Sequence, residues 1–228
     1  MDTALADRLA AVDERIREAA EAANRDPAEI TRIVVTKFHP ASLVSDLHAL
    51  GVRHVGENRQ QELTAKRAEL DGIPDLVWHF IGQAQTNKAR AVRAGADAVH
   101  SVDRSRIADA LHAAGAAGEL LDVLVQVNLT DDPGRGGVAP ESVEELAAHV
   151  AGLSTLRLRG VMAVAPLDEE PARAFERLHR CADAVRSVVA DARWISAGMT
   201  GDFPEAIAMG ATHLRIGSAI TGPRPPRD

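Results

Sequence analysis

Ile33-Val34-Val35-Thr36-Lys37-Phe38-His39-Pro40 is the stretch on which the fold prediction rests. Its β-branched residues fit a pleated, buried surface, which predicts a short core strand that Pro40 ends. Because strand side chains alternate, Ile33, Val35 and Lys37 share one face. Two interpretations of Lys37 stay open. It lies just past the strand in solvent, or it is a desolvated lysine that acts as a nucleophile for aldehydes.

Outside this stretch the chain repeats the same alternation of short apolar runs and amphipathic segments. Further strands are predicted at 52–56, 76–82, 98–102, 122–129, 156–164, 193–197 and 213–217. The intervening helices are predicted at 41–49, 57–70, up to 94, 105–114, 140–151, 171–190 and 204–209. Eight strands, each followed by a helix and with no linker between them, indicate an α/β fold.

The predicted architecture is a single (β/α)₈ TIM barrel, and a doubly wound open sheet is the competing fold. We expect one domain over residues 1–222 and a flexible tail at 223–228. An extra N-terminal helix at 3–24 is expected to plug or flank the bottom of the barrel.

Composition excludes several functional classes. The 228 residues carry a net charge of −7, which argues against binding to nucleic acid or to an anionic membrane. The start is acidic where a signal peptide is basic, and no apolar run approaches the ~20 residues that span a bilayer. One cysteine, Cys181, leaves no internal disulfide. We therefore expect a cytoplasmic protein.

The carboxyl ends of barrel strands are where functional groups gather. Lys37 follows the first strand, and Asn58 follows the second. The loops after strands seven and eight hold glycines and the hydroxyls of Ser196, Thr200 and Ser218, which suits an oxyanion. A phosphorylated aldehyde satisfies both the amine and the anion loops. Pyridoxal 5′-phosphate (PLP) is the common cofactor of this kind, held as a lysine Schiff base.

Six motifs distributed over nearly the whole chain resemble the pyridoxal phosphate homeostasis protein family, the single-domain relatives of the alanine racemase N-terminal barrel. They are Val34–Lys37, Gly56-Glu57-Asn58 with Gln61-Glu62, Trp78–Gly82 with Gln85–Lys88, Leu156–Met162, Ser196–Asp202 and Arg215–Ile220. The resemblance implies a barrel of the alanine racemase N-terminal type and a cofactor covalently bound to Lys37. It also implies further cofactor contacts: Ser196, Met199, Thr200, Gly217 and Ser218 at the phosphate, Arg215 at the pyridine nitrogen, and Asn58 near the ring.

The chain departs from the family pattern beside the lysine. Phe38 stands where a small polar residue is usual, and His39 stands where a second lysine is frequent. Arg59 replaces the aromatic residue that commonly follows the Gly-Glu-Asn motif. None of these changes removes an expected cofactor contact, but a cofactor relay through a second lysine is put in doubt.

Arg215 bears on whether the site catalyses a reaction. An aspartate would keep the pyridine nitrogen protonated, whereas an arginine remains a cation and only donates hydrogen bonds. Related racemases resemble a two-base design that uses a tyrosine from a further domain, and this sequence has no tyrosine and ends right after strand eight.

Four other acid–base candidates stand in the sequence. His79 is interpreted as a hydrogen-bonded core histidine, Glu57 as a helix start, and Cys181 as inert. His39 is left without a structural interpretation. The nine histidines show no clustered ligand spacing, so no metal site is predicted.

Three hypotheses follow. The first is a non-catalytic, monomeric carrier that holds PLP on Lys37, supplies it to apo-enzymes and influences amino-acid and keto-acid balance. The second is a weak PLP-dependent amino-acid racemase or lyase on the same site. The third is a phosphosugar-binding barrel enzyme in which Lys37 attacks a sugar carbonyl.

Overall fold

The stretch around Lys37 forms the first strand of a closed parallel barrel. In the computed structural model, which describes residues 3–224, Ile33, Val34 and Val35 are all buried. Eight strands follow one another around the barrel in sequence order, and the last pairs with the first. They are β1 (Thr31–Val35), β2 (His54–Glu57), β3 (Val77–Phe80), β4 (Ala98–Val102), β5 (Leu121–Gln126), β6 (Leu156–Met162), β7 (Trp194–Ser196) and β8 (His213–Ile216). The predicted TIM barrel is confirmed.

Helices alternate with the strands and cover the outside of the barrel. They are α1 (Thr3–Ala22), α2 (Ala41–Ala49), α3 (Gln60–Glu69), α4 (Ala89–Gly95), α5 (Ser105–Ala113), α6 (Val143–Ala151), α7 (Pro171–Val188), α8 (Phe203–Ala208) and α9 (Ser218–Thr221). Val34, Val55 and Trp78 belong to the apolar core that includes buried residues of these helices. The strand face toward the helices is apolar, whereas the barrel interior also holds buried polar side chains such as His79 and His100.

The extra helix α1 flanks the barrel. It packs against α8 and α9 through a buried face that includes Leu5, Leu9 and Val12. Arg8 donates a hydrogen bond from Nε to the carbonyl of Ile220, at 2.7 Å. Of the two predicted placements of this helix, plugging and flanking, the structure shows flanking.

Strand register decides which side chains point into the barrel. Ile33 on β1 lies opposite Arg215 on β8, and Gly56 on β2 lies opposite His79 on β3. Paired residues point to the same side of a sheet. At the end of β3, Gly82 approaches the backbone of Asn58 so closely that a Cβ atom would lie 1.9 Å from the Asn58 carbonyl oxygen. This contact fixes the β2 end of the barrel mouth.

Two local predictions were wrong. Glu57 was expected to start a helix, but it is the fully buried last residue of β2, because its carboxylate finds a buried partner in Lys66 of α3. The third helix therefore begins at Gln60. β5 ends at Gln126, three residues earlier than expected, since Val127 pairs instead with Val138 in an isolated bridge.

Of the predicted tail, residues 225–228 lie outside the described part of the chain. Within residues 3–224, no helix is long and apolar enough to cross a bilayer.

Candidate functional site

A cavity of about 490 Å³ lies at the carboxyl ends of the strands. Its volume falls within the range of small-molecule sites. Seven of the eight predicted cofactor contacts line it: Lys37, Asn58, Met199, Thr200, Arg215, Gly217 and Ser218. The remaining lining residues are Val35, Phe38, His39, Ile81, Val164, Gly201, Thr221, Gly222 and Arg224. Residues from the ends of most of the strands thus meet around one space.

Lys37 lies two residues beyond the end of β1 and is exposed at the cavity. Thr36, the residue before it, is fully buried. The prediction that Lys37 lies just past the strand and in contact with solvent is therefore confirmed, and the prediction that it is desolvated is wrong. Its role as a nucleophile for aldehydes stays a prediction. Because β1 ends at Val35, the Lys37 side chain stands at the rim of the barrel, where it is accessible to water and lines the cavity.

The turn after Lys37 has an unusual backbone. Phe38 has a φ of 69°, a left-handed conformation that non-glycine residues rarely adopt. Its N–H donates a hydrogen bond to Oε2 of Glu62 on α3, at 2.7 Å. This bond holds the strained turn in place, and with it the position of Lys37.

Two of the departures from the family pattern, Phe38 and Arg59, are in contact with each other through the aromatic ring of Phe38. The guanidinium carbon of Arg59 lies 4.9 Å from the ring centroid, and that of Arg224 lies 3.4 Å from it. Cations over an aromatic face are stabilised by the ring quadrupole. Phe38 and Arg59 therefore form one packed unit at the cavity mouth, completed by Arg224.

A buried ion pair, Glu57 with Lys66, supports the loop that carries Lys37 from behind. Lys66 donates hydrogen bonds from Nζ to Oε1 of Glu57, at 2.6 Å, and to the carbonyl of Thr36, at 2.8 Å. The hydroxyl of Thr36 donates to the same carboxylate oxygen, at 2.6 Å. Burial raises the pKa of Glu57, and the Lys66 charge and hydrogen bonds oppose the shift. The pair ties β2 and α3 to the residue before Lys37.

The loops after β7 and β8 form the opposite side of the cavity. Gly217 precedes α9, whose first residue is Ser218. Gly198 has a φ of 89°, and a Cβ atom there would lie 2.8 Å from Cβ of Ala206, so only glycine fits the turn. The carboxylate of Asp202 accepts a hydrogen bond from the N–H of Met199, at 2.6 Å. Hydroxyls and glycines remain facing the cavity, as an oxyanion requires.

Arg215 forms part of the cavity floor and is buried. It donates hydrogen bonds from Nη1 to Oγ of Ser196, at 2.7 Å, and from Nη2 to the carbonyl of Ala163, at 2.8 Å. Burial lowers the pKa of Arg215 to about 10, and the nearby Asp202 carboxylate opposes this shift. The side chain is therefore a cation at neutral pH, held from below.

The eighth predicted contact, Ser196, does not line the cavity. It is fully buried beneath Arg215 and bonds both Arg215 and His100. His79 is hydrogen-bonded in the barrel interior, as predicted. Cys181 is buried in α7, and burial raises the pKa of its thiol. Within residues 3–224, no group of three or more His, Cys, Asp or Glu is placed to hold a metal ion.

Sequence reasoning did not select several lining residues. Ile81 lies in the Trp78–Gly82 motif and Val164 follows β6, so their places at strand ends were a usable signal. Arg224 gave no such signal, because it stands in the proline-rich segment at the end of the sequence.

A larger cleft, of about 870 Å³, lies at the other end of the barrel, where β3, β4 and β5 begin. Two of its arginines are already paired, Arg67 with Asp97 at 2.7 Å and Arg157 with Asp122. It collects no amine or glycine-hydroxyl loop. The smaller cavity is therefore the candidate site.

Sequence comparisons agree with this geometry. The profile of a family described as "Alanine racemase, N-terminal domain" matches residues 8–225. A "Pyridoxal phosphate homeostasis protein" of Pseudomonas aeruginosa is 42% identical over 221 residues, which cover 96% of this chain and 96% of that protein. A protein of the same description from Escherichia coli K12 is 40% identical over 227 residues, covering 96% and 97%. The chain belongs to the pyridoxal phosphate homeostasis protein family.

Solved structures place this pyridoxal phosphate homeostasis family member beside PipY of Synechococcus elongatus, which has been solved with and without PLP bound. The structure with PLP is 33% identical, with a TM-score of 0.83, and covers 96% of this chain and 100% of PipY. An alanine racemase of Corynebacterium glutamicum, 16% identical with a TM-score of 0.70, covers 93% of this chain and 60% of its own. This second likeness shows the shared barrel fold alone.

Proposed function

We propose that this protein binds PLP through a Schiff base to Lys37 and acts as a non-catalytic PLP carrier in the cytoplasm. The observation that carries the proposal is that an amine, two glycine-hydroxyl loops and a donor-only cation meet in one cavity. The PLP bound to PipY and the description of the curated relatives support it.

The unsatisfied polar groups of the cavity suit this cofactor. Oδ1 of Asn58 is buried and has no hydrogen-bond partner among the described residues, which is costly unless a ligand completes it. Arg215 uses two of its five N–H donors on Ser196 and Ala163. The donors that remain suit an acceptor such as a ring nitrogen. An aromatic ring that carries both a nitrogen and oxygen substituents fits such a lining.

Each lining group has a task in the proposal. PLP supplies an electrophilic aldehyde, and the Lys37 amine adds to its carbon with the loss of one water molecule. Ser218, Thr200 and the backbone at Gly217 bind the phosphate, with Met199 beside it. Asn58 contacts the ring, and Arg215 donates to the pyridine nitrogen. Ser196 acts on the cofactor only through Arg215.

The carrier role rests on what Arg215 does to the ring. A guanidinium only donates hydrogen bonds, so the pyridine nitrogen that accepts from it carries no proton, and an unprotonated ring is a weak electron sink. A PLP that is bound but poorly activated suits storage and delivery. We therefore propose participation in PLP homeostasis and supply to PLP-dependent apo-enzymes, with effects on amino-acid and keto-acid balance. We propose that the carrier works as a monomer.

The test uses the small number of lysines. The sequence has three, Lys37, Lys66 and Lys88, of which only Lys37 lines the cavity. After incubation with PLP and removal of the unbound cofactor, we expect the protein to be yellow and borohydride reduction to attach the cofactor to the peptide containing Lys37. Lys37→Ala should stay colourless, and Lys88→Ala, the matched control, should stay yellow. A colourless wild-type protein, or labelling at Lys88, contradicts the proposal.

A weak racemase or lyase activity is the second candidate, and His39 is the observation in its favour. His39 lines the cavity, and burial, helped by the Lys66 charge, lowers its pKa, so it is a neutral base at physiological pH. The test is exchange of the α-hydrogen of D- and L-amino acids with deuterated solvent. Turnover of ~1 s⁻¹ or more that is lost in His39→Ala identifies an enzyme. Turnover absent in both proteins supports the carrier.

The phosphosugar alternative is tested by competition. A sugar phosphate in large excess should leave the yellow colour unchanged if PLP is the natural ligand. Displacement at a low ratio of sugar phosphate to PLP contradicts the proposal.

A further inference from the structure

A continuous line of hydrogen bonds runs through the barrel interior below the cavity. The line begins at Arg215, and we call the four neutral residues below it, Ser196, His100, His79 and His54, the histidine chain. Oγ of Ser196 lies 2.7 Å from Nη1 of Arg215 and 2.9 Å from Nδ1 of His100. Nε2 of His100 lies 2.9 Å from Nδ1 of His79, and Nε2 of His79 lies 3.0 Å from Nδ1 of His54. Five strands contribute one residue each.

The chemistry of Arg215 sets the direction of this line. A guanidinium has only donors, so Ser196 Oγ must accept from Arg215. Among the described residues, the remaining partner of Oγ is Nδ1 of His100, so the Ser196 hydroxyl donates its one hydrogen bond to that nitrogen. His100 then carries its proton on Nε2 and donates to His79. By the same reasoning, His79 donates from Nε2 to His54.

The reverse direction leaves a buried group without a partner. If His100 donated from Nδ1, Ser196 Oγ would receive two hydrogen bonds and its own proton would have no described acceptor. Ser196 is fully buried, and an unmade hydrogen bond there is costly. At the other end, His54 is only half-buried, so its outer nitrogen can find water. The forward direction therefore satisfies every group.

The histidines of the chain are uncharged at neutral pH. Burial holds the pKa of His79 and of His100 well below 6.5, and their histidine neighbours add to the shift. A proton on His100 would also place a second positive charge beside Arg215. Burial, and then the charge of Arg32 on β1, lowers the pKa of His54 in the same direction. The chain is therefore a neutral acceptor beneath one cation.

We propose that Ser196, His100 and His79 are positioning residues for Arg215. Because His100 accepts a hydrogen bond from the Ser196 hydroxyl, a lone pair of Oγ points toward Nη1 of Arg215. This keeps the guanidinium in one orientation under the cofactor. This inference rests on the proposed function only for what Arg215 contacts. The chain itself is testable in protein without PLP.

The first experiment measures the proton positions directly. Protein without PLP, labelled with ¹⁵N-histidine, is studied by NMR at neutral pH. We expect His100, His79 and His54 all as neutral imidazoles protonated at Nε2. Ser196→Ala removes the donor to His100 and should release its tautomer into a mixture. A wild-type His100 that carries its proton on Nδ1, or on both nitrogens, overturns the inference.

The second experiment measures what the chain does to Arg215. His100→Leu removes the acceptor for Ser196. His100→Asn keeps an acceptor, because Oδ1 of asparagine and Nδ1 of histidine are both two bonds from Cβ. The matched control is His213→Leu, which loses a buried interior histidine whose hydrogen bond goes to Thr212 instead, at 2.8 Å.

The expected readouts separate positioning from general destabilisation. In protein without PLP, the separate ¹⁵N signals of the two Arg215 Nη groups should merge in His100→Leu and stay separate in His100→Asn and His213→Leu. In the loaded protein, His100→Leu should bind PLP about tenfold more weakly, as the loss of one buried hydrogen bond predicts. The asparagine variant should stay close to wild type. Equal behaviour of His100→Leu and His213→Leu overturns the inference.

The two proposals fail in different ways. If wild-type protein binds no PLP, the proposed function falls, while the tautomers and the Arg215 signals still decide the chain. If PLP binds and the Arg215 signals are unchanged in His100→Leu, the proposed function stands and the positioning role is wrong.

Discussion

Two buried polar regions hold the two sides of the cavity, and they use opposite electrostatics. Outside the barrel wall, the Glu57–Lys66 pair supports the Lys37 loop with two opposite charges in contact. Inside the wall, the histidine chain supports Arg215 with neutral groups only. A buried charge needs a partner or must be neutralised, and the molecule uses both solutions within one barrel.

The two regions also differ in their response to acid. The folded-state pKa of the interior histidines is lowered, so they resist protonation while the unfolded chain accepts it. The folded-state pKa of Glu57 is raised above 4.5, so its protonation favours the folded state. Its contribution to stability is present at pH below 4.5 and is lost as the pH rises through the folded-state pKa.

The largest expected effect is acid destabilisation by the interior histidines. Burial lowers the pKa of His213 from 6.5 to about 3, and that of His79 and His100 well below 6.5. Below pH 6.5 the unfolded chain binds more protons than the folded chain does, so the free energy of unfolding decreases as the pH decreases. Each histidine contributes about 1.4 kcal/mol per pH unit, so the three together give about 4 kcal/mol per unit below pH ~6.

Urea unfolding followed between neutral pH and about pH 5 measures this slope. His213→Leu should reduce the slope by about one-third, whatever its effect at neutral pH. A slope that is the same in His213→Leu and wild type contradicts a neutral, buried His213.

The second effect breaks the charged region. Glu57→Leu leaves the Lys66 ammonium buried without its carboxylate and should lower the free energy of unfolding by about 3–5 kcal/mol. The double variant Glu57→Leu/Lys66→Met replaces the pair with apolar groups and should recover most of the loss. A double-mutant cycle from urea unfolding gives the coupling energy. If the losses of the two single variants simply add, the pair is not coupled as described.

The smallest effect concerns the backbone contact at the cavity mouth. In Gly82→Ala, the added methyl meets the Asn58 carbonyl, and displacing it should cost about 1–3 kcal/mol. Gly72→Ala is the matched control, because nothing lies within 4 Å of its added Cβ and its φ is not left-handed. Thermal unfolding of the two variants distinguishes them. If the two variants have similar melting temperatures, the close contact between residue 82 and the Asn58 backbone does not require glycine.

The barrel and most of the cavity could be predicted because their signals are local. Short apolar runs separated by helices fix the number of strands, and strand ends point to the site. Lys37, Arg215 and the glycine-hydroxyl loops were found in this way. The end of β2 could not be predicted from the sequence, because Glu57 looks like a helix start until Lys66 is known to lie behind it.

The histidine chain was out of reach for a different reason. In sequence, His54, His79 and His100 stand 25 and 21 residues apart, and no spacing rule links them. They meet because neighbouring strands place them on the interior face at compatible heights, which depends on the register of the closed barrel. The same register lowers Ser196 beneath Arg215 and so takes it out of the cavity.

The stack of Arg224 on Phe38 has a practical consequence. Arg224, which follows α9, lies over the ring of Phe38, so a peptide tag fused after residue 228 begins five positions beyond Arg224. We expect a fusion so near to Arg224 to disturb its stack on Phe38, the residue that follows Lys37. An N-terminal tag joins the chain at α1, which flanks the barrel. Affinity and colour are therefore best compared between proteins that carry their purification handle at the N-terminus.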